Sequence, residues 1–462
     1  MEPKPSFRWK RAAAWTALAA VILAFLGYFT ASMLLNSYLR GEAFRALLNA
    51  KTSALFAAEG AYAPIQRQGF SFYADNYAAK GLPGTVLRDL GAEQIRAEFE
   101  PAAVFHGAWR IGSLQIQRLH AAFTLPGASP TPSAARFEVS PPPSPAPASA
   151  RRAPGWVPDR FELRKARIEE AVLTWGEPGA ATGSGSLRGM RLTVEPDGAD
   201  WSALGLGGTL EQAGLPALRV DHVKLRYRAP DLFLNDSLLE RGETERFSVS
   251  GQAALSGDRA VDLQVQWNGV PVSGYLPEDW RAGVKGAASG EARVTGAPGA
   301  LKAVGTLRLT GGQLEALPIL EKIAAFTHTR EFRQFALQKA EADFTWTPQK
   351  LAVSRFVAES EGLIRAEGPF TVERGNLRGV FQVGVTPSCL RWLPGSRARV
   401  FTQERDGYVW TAVQVSGPLS HLTEDLTPRL TAAAGAEVIE GVKGTLENGA
   451  KGLFDLIKPL VP

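Results

Sequence analysis

Cysteine is all but missing from this chain: Cys389 is the only one in 462 residues. A lone thiol closes no intramolecular disulfide and forms no thiolate cluster around a metal, so burial alone must hold the fold together. Pro387, Ser388, Leu390 and Trp392 surround it, which marks a strand end or turn where Cys389 acts as a small buried hydrophobe. Histidine is nearly as scarce. His106, His120, His222, His328 and His421 are scattered, and no two stand four residues apart to share one helical face around a metal.

Catalytic signatures are missing as well. No Gly-x-Ser-x-Gly elbow occurs, and in the run from Gly205 to Leu210 a leucine stands where a dinucleotide fingerprint needs its third glycine. Between Gly444 and Lys451, Ala450 separates Gly449 from the lysine, and Gly452 replaces the Ser or Thr of a phosphate loop. Glu169 and Glu170 lie on an alternating, strand-like stretch, where a solvated face accounts for them better than acid and base catalysis. No catalytic, cofactor or metal residue is assigned, and the expectation is a protein that is not an enzyme.

A surplus of one charge is absent beyond the first few residues. Lys4, Arg8, Lys10 and Arg11 against Glu2 supply most of the formal charge of +5. The remainder is nearly neutral, with no basic block and no aromatic motif of an RNA binder, so nucleic acid is not an expected partner.

Long apolar runs are absent too, except at one place. From Ala12 to Leu39 no residue is charged, and a helix needs about 20 apolar residues to cross the hydrocarbon layer. A cleaved signal peptide has a shorter apolar region, and Ala31, Ser32 and Met33 make a poor cleavage site, so the run reads as a retained anchor. The basic residues before Ala12 outweigh the looser Arg40, Arg45 and Lys51, which leaves the short N-terminus in the cytoplasm. The bulk then lies across the membrane, in a bacterium the periplasm.

Glycine at 47 and proline at 31 favour many turns between short strands. The expected organisation is a cytoplasmic tail (1–11), an anchor (12–39), a helix and strands (40–125), a proline-rich loop (126–158), a central β-rich region (159–300), a C-terminal β region (301–428) and an amphipathic helical tail (429–462). Leu39, Phe44, Leu47, Leu48, Leu55 and Phe56 recur at helical spacing to about Ala58. Ten prolines between Pro126 and Pro158 deny that stretch ladder donors and apolar payload. Beyond Phe161 the alternation is regular: Val223, Leu225 and Tyr227 against Lys224, Arg226 and Arg228, and Val261, Leu263, Val265 and Trp267 against Asp262, Gln264, Gln266 and Asn268. Such strands, separated by turn residues, predict antiparallel meanders. A short helix is expected from Pro318, and another after Pro428.

The segment from Gly305 to Leu426 resembles the C-terminal region of the AsmA family, membrane-anchored periplasmic proteins related to TamB. The likeness rests on Gly-Thr-Leu-Arg-Leu-Thr-Gly-Gly-Gln-Leu at 305–314, the helix from Pro318, the strands with Phe344, Leu351, Val353, Ile364, Gly368 and Phe370, and Val415 to Leu419 leading to Asp425, Leu426 and Pro428. The resemblance implies a mainly β fold: a transmembrane helix, then an elongated, curved, mostly antiparallel β-sheet groove with a few short helices and a C-terminal amphipathic helix. It implies a non-catalytic protein of the inner membrane that moves or shelters phospholipid on its way to the outer membrane and supports outer-membrane assembly, with an outer-membrane partner of unknown identity. The lipid path is expected on Val223, Leu225, Tyr227, Val261, Leu263, Val265, Leu307, Leu309, Phe381 and Val383. Alternation fits an open groove and a sealed sandwich core equally well, and the latter would suit an envelope scaffold without lipid transfer.

Overall fold

The computed structural model describes residues 30, 33, 37–38, 41–124, 160–176, 183–276, 281, 283–315, 334–391 and 395–433. The expected proline-rich loop and the helix from Pro318 lie outside the described residues, as do nearly all of the anchor and the tail beyond 433. Among the described residues no helix is long and apolar enough to cross a membrane. The chain is mainly β and divides into two units, Met1–Thr209 and Leu210–Pro462.

Unit 1 opens with α1 (Glu42–Phe56), close to the helix its periodicity predicts. Phe44 is wholly buried on it, against Phe72, Phe99 and Trp109, with ring centroids 5.8, 6.2 and 5.4 Å away. Ala57, in the left-handed conformation with φ 47°, ends the helix and starts the sheet. The strands are β1 (Ala58–Tyr62), β2 (Gln66–Gln68), β3 (Ser71–Gly81), β4 (Leu87–Glu100), β5 (Ala108–Phe123), β6 (Arg160–Leu163), β7 (Ala166–Trp175), β8 (Gly185–Asp197) and β9 (Asp200–Leu206). The free edge of β1 is closed by α1: the Tyr62 N–H donates to the Asn49 side-chain oxygen at 3.1 Å.

One junction departs from the expected meander. β5 pairs in parallel with β6 and β7, Ala108 opposite Arg160 and Phe123 opposite Trp175. Parallel neighbours need a connection that returns the chain to the starting end of the strand. The proline-rich stretch joins these two strands, so the topology requires that return of it. All other strand pairs of this unit are antiparallel.

β10 (Thr209–Gln212) lies at the unit boundary. Unit 2 is an antiparallel meander of β11 (Leu218–Arg228), β12 (Asp231–Arg241), β13 (Glu245–Ala254), β14 (Val261–Pro271), β15 (Val284–Gly296) and β16 (Lys302–Glu315), each paired with the next. β15 and β16, on either side of residue 300, are joined along most of their length. Then come β17 (Gln334–Leu337), β18 (Lys339–Thr347), β19 (Lys350–Ser360), β20 (Ile364–Glu367), β21 (Phe370–Glu373) and β22 (Asn376–Val385). A 3₁₀ turn (Pro387–Leu390) and α2 (Ser396–Arg399) lead to β23 (Gln403–Arg405), β24 (Tyr408–Pro418) and β25 (Thr423–Glu424). The helix expected after Pro428 begins at residue 426, three residues early. Glu424 accepts the Thr427 N–H at 2.8 Å, and Pro428 falls in the first turn, where its missing donor costs nothing.

The largest buried cluster of unit 2 sits at its C-terminal end, where Leu390, Val400, Phe401, Leu426 and Leu430 cover Leu337, Ile364, Val385, Val409 and Val413. Cys389 is half-buried beside this cluster, in the 3₁₀ turn.

Candidate functional site

Directly paired residues of antiparallel strands point to the same face, so register decides which side chains meet. Three successive rows cross unit 2 without a polar side chain. The first is Gly251, Leu263, Val294, Ala303, Trp346, Leu351, Val372 and Leu377. The second is Val249, Val265, Ala292, Gly305, Phe344, Val353, Phe370, Gly379 and Val415. The third is Phe247, Trp267, Gly290, Leu307, Ala342 and Phe356.

Two of the glycines in these rows, Gly290 and Gly379, are where large side chains lie close over the strand. A Cβ on Gly290 would stand 2.6 Å from the Trp267 ring, and one on Gly379 would stand 2.7 Å from Phe370 and 2.9 Å from Phe381. Trp267 thereby comes within 6.4 Å of Phe344, centroid to centroid. Phe356, Phe370 and Phe381 form a triad at 5.7–6.0 Å. These rings lie on the sheet and cover its backbone.

None of the ten residues expected on a lipid path is buried. Val223, Leu225, Val261, Leu263, Val265, Leu307, Leu309, Phe381 and Val383 are half-buried, and Tyr227 is exposed at 38%. Val261, Leu263, Val265 and Leu307 are neighbours on the face just described. Leu225 and Tyr227 pair with Leu234 and Leu232, whereas Val223 pairs with Ser237, whose hydroxyl is bonded to the backbone of Val249. Leu309 and Val383 pack against the C-terminal buried cluster instead, so they belong to the covered end of the face. Phe381 has an apolar neighbour, Val380, which is 48% exposed on the other side of the sheet. No buried cluster among the described residues draws a member from β11–β15.

Trp346, Phe344, Phe356 and Phe370 share the face, although they are not among the ten residues expected there. Ala342, Phe344 and Trp346 alternate with Asp343, Thr345 and Thr347, so their strand carries the period-two mark in full. Only Phe356 is hidden from it, because a register shift between Asp343 and Phe344 puts Val353 and Phe356 on one side despite their odd spacing.

At one end of this face stands a buried polar group. Glu245 is 4% exposed, accepts a bond from the Tyr275 hydroxyl at 3.2 Å and lies 3.6 Å from Arg241. Burial, reinforced by the Glu245 charge, raises the Tyr275 phenol above its ordinary value. The group pins the turn at Val272–Gly274 to the β12–β13 hairpin.

The opposite face is laced with cross-strand ion pairs. Arg293 grips Asp262 through two bonds of 2.8 and 2.7 Å, Arg308 reaches Glu341 at 3.1 Å, and Arg355 reaches Asp343 at 2.8 Å. The Arg293 bonds hold the Asp262 carboxyl below its usual range. A cleft of about 590 Å³ lies on this face, bordered by Arg246, Gln266, Glu291, Arg308, Asp343 and Arg355. Its arginines are already engaged by Glu240, Glu341 and Asp343, so it is a fold in a solvated surface. His222 bridges Asp221 and Asp236 at 2.9 and 3.0 Å, and those bonds raise its imidazole above the ordinary value.

Comparison with family models, curated proteins and solved structures returned no match to this chain.

Proposed function

We propose that this chain is a non-catalytic, membrane-anchored periplasmic protein of the AsmA type, which shelters phospholipid acyl chains on the apolar face of unit 2 during transfer between inner and outer membranes. The observation that carries the reading is the trio of cross-strand rows, apolar or glycine at every position, whose members in β13–β16 belong to no buried cluster. Ala292, Ala303, Val353 and Leu377 are buried within the rows, but the larger side chains Leu263, Val265, Trp267 and Leu307 are only half-buried. Fully burying a leucine or valine is worth roughly 1.5–3 kcal/mol, and these half-buried positions forgo part of it. An uncovered apolar surface of this continuity marks a binding surface for something apolar. The ion-paired opposite face keeps the sheet soluble.

Full-length protein extracted in mild detergent should carry phospholipid by native mass spectrometry. Leu263→Asp places a charge in the half-buried rows and should expel lipid while the melting temperature holds. Leu309→Asp, against the covered end, should cost several kcal/mol and lower the melting temperature. Joint loss of lipid and stability in Leu263→Asp would point to a sealed core, and hence to an envelope scaffold without lipid transfer.

A further inference from the structure

The hairpins of unit 2 all turn at two ends, and the register gathers one set into a single rim. Arg228 pairs with Asp231, Asp231 with Ala254, Val261 with Gly296, Thr295 with Lys302, Ala303 with Trp346, Lys350 with Glu373, and Glu373 with Asn376. The turns between these pairs are therefore neighbours along one edge of the meander. The rows of the apolar face end here, and the buried cluster of the C-terminal cover lies toward the other end of the strands.

This rim has an unusual composition for a set of turns. Leu255 is 50% exposed, Trp346 40% and Tyr227 38%, at the border of the apolar face. Beside them stand Lys302, Lys350 and Arg374, exposed and without ion-pair partners among the described residues. Across residues 228–231, 254–261, 296–302, 346–350 and 373–376 there are five basic side chains against three acidic ones. Tryptophan and tyrosine with basic neighbours suit the headgroup layer of a bilayer, where an amphipathic ring sits between apolar and wet phases and cations meet anionic headgroups.

We infer that this rim is a membrane-docking edge: it seats on an anionic bilayer surface, with Leu255 and Trp346 in the headgroup layer, and opens the apolar face directly toward lipid. The inference rests on the reading of that face as a lipid path. It supplies what that reading lacks, a place where an acyl chain passes between bilayer and sheet without crossing water.

The test uses the full chain held in nanodiscs of neutral phosphatidylcholine, with Cys389→Ala and a single environment-sensitive dye on Ser256→Cys, an exposed position in the β13–β14 turn. Vesicles of phosphatidylcholine containing about one-third phosphatidylglycerol should shift the dye emission to shorter wavelength, and neutral vesicles should do so far less. Each basic side chain near an anionic surface is worth a factor of about five in affinity, so the triple variant Lys302→Glu, Lys350→Glu, Arg374→Glu should bind at least tenfold more weakly. High salt should weaken the wild type in the same direction. Leu255→Ser, at the most exposed of these apolar side chains and outside the apolar rows, should diminish the emission shift while the melting temperature changes little. Absence of any shift, or equal binding by the charge-reversed variant, overturns the inference. Native mass spectrometry of the same wild-type sample separates the two readings: bound phospholipid with no rim docking sinks the rim alone, whereas rim docking by protein that carries no phospholipid sinks the lipid path and leaves the rim.

Discussion

Residue by residue, the strands of unit 2 differ less in hydrophobicity than in what stands behind it. Leu263 and Leu309 are both leucines at alternating positions, yet one faces Gly251 and Val294 and the other packs against a buried cluster. Alternation identified both, and only the pairing separates them. His222 is legible in the sequence merely as a scattered histidine. The structure sets it between two aspartates, Asp221 on its own strand and Asp236 across the hairpin, with Lys224 sharing Asp236 at 2.8 Å. Its folded pKa is raised, chiefly by the bond to Asp221. The stability it contributes is thus fully present below the unfolded histidine value of about 6.5 and lost as pH rises through the folded value. Asp236 works the other way: its carboxyl is lowered, first by Lys224, so its contribution appears above the unfolded aspartate value and is lost on acidification. Together they favour mildly acidic conditions. The melting temperature of His222→Gln should fall below wild type by about 1–2 °C near pH 5.5 and match it near pH 8.5, a small effect because the pair is on the surface. A difference that grows with pH would contradict this assignment.

At the level of elements, helix α1 and the long alternating strands were legible because period 3.6 and period 2 both leave strong marks over ten or more residues. The parallel junction in unit 1 left none. Strands of parallel and antiparallel pairs can share one local pattern, and what distinguishes β5 and β7 is where the intervening chain must go. β5, at about 3.3 Å per residue, is roughly 50 Å long, and the chain leaving Phe123 must regain Arg160 beside Ala108. About 36 residues between them reach roughly 120 Å when extended, so the connection has slack. Deleting Ser140–Ala150 leaves a reach of about 80 Å and should not change the melting temperature. Deleting Pro126–Ala150 leaves about 11 residues, roughly 36 Å, which cannot span the strand, and β6 and β7 should lose their register. Calorimetry of the two deletions decides the matter. Equal stability would mean that β5 does not pair in parallel with β6 and β7.

Across the whole molecule, what sequence patterning could not reveal is that the apolar face is covered unevenly. The covering pieces are short and irregular. The Pro387–Leu390 turn and α2 carry little periodicity, and the helix over residues 426–433 is brief. They nevertheless close one end of unit 2 thoroughly. Asp425 accepts the Gln414 N–H at 2.8 Å, and Arg429 caps the Ala412 carbonyl at 2.6 Å, so even the outer edge of β24 has its groups satisfied. Stability in such a molecule should be graded, because local opening follows buried apolar contact and not strand membership. Amide exchange followed by mass spectrometry on the full chain should therefore find its slowest amides in β22 and β24, over Val385, Val409 and Val413. β13, β14 and β15 should exchange at least tenfold faster, although they pair along most of their length, since their inner residues join no buried cluster. If the uncovered rows hold acyl chains, added phospholipid should slow exchange in β13–β16 and leave β22 and β24 unchanged, because the covered end gains nothing. Uniform protection across unit 2 without lipid would mean that the central rows are packed under a second layer, and the lipid path would then have no surface to run on.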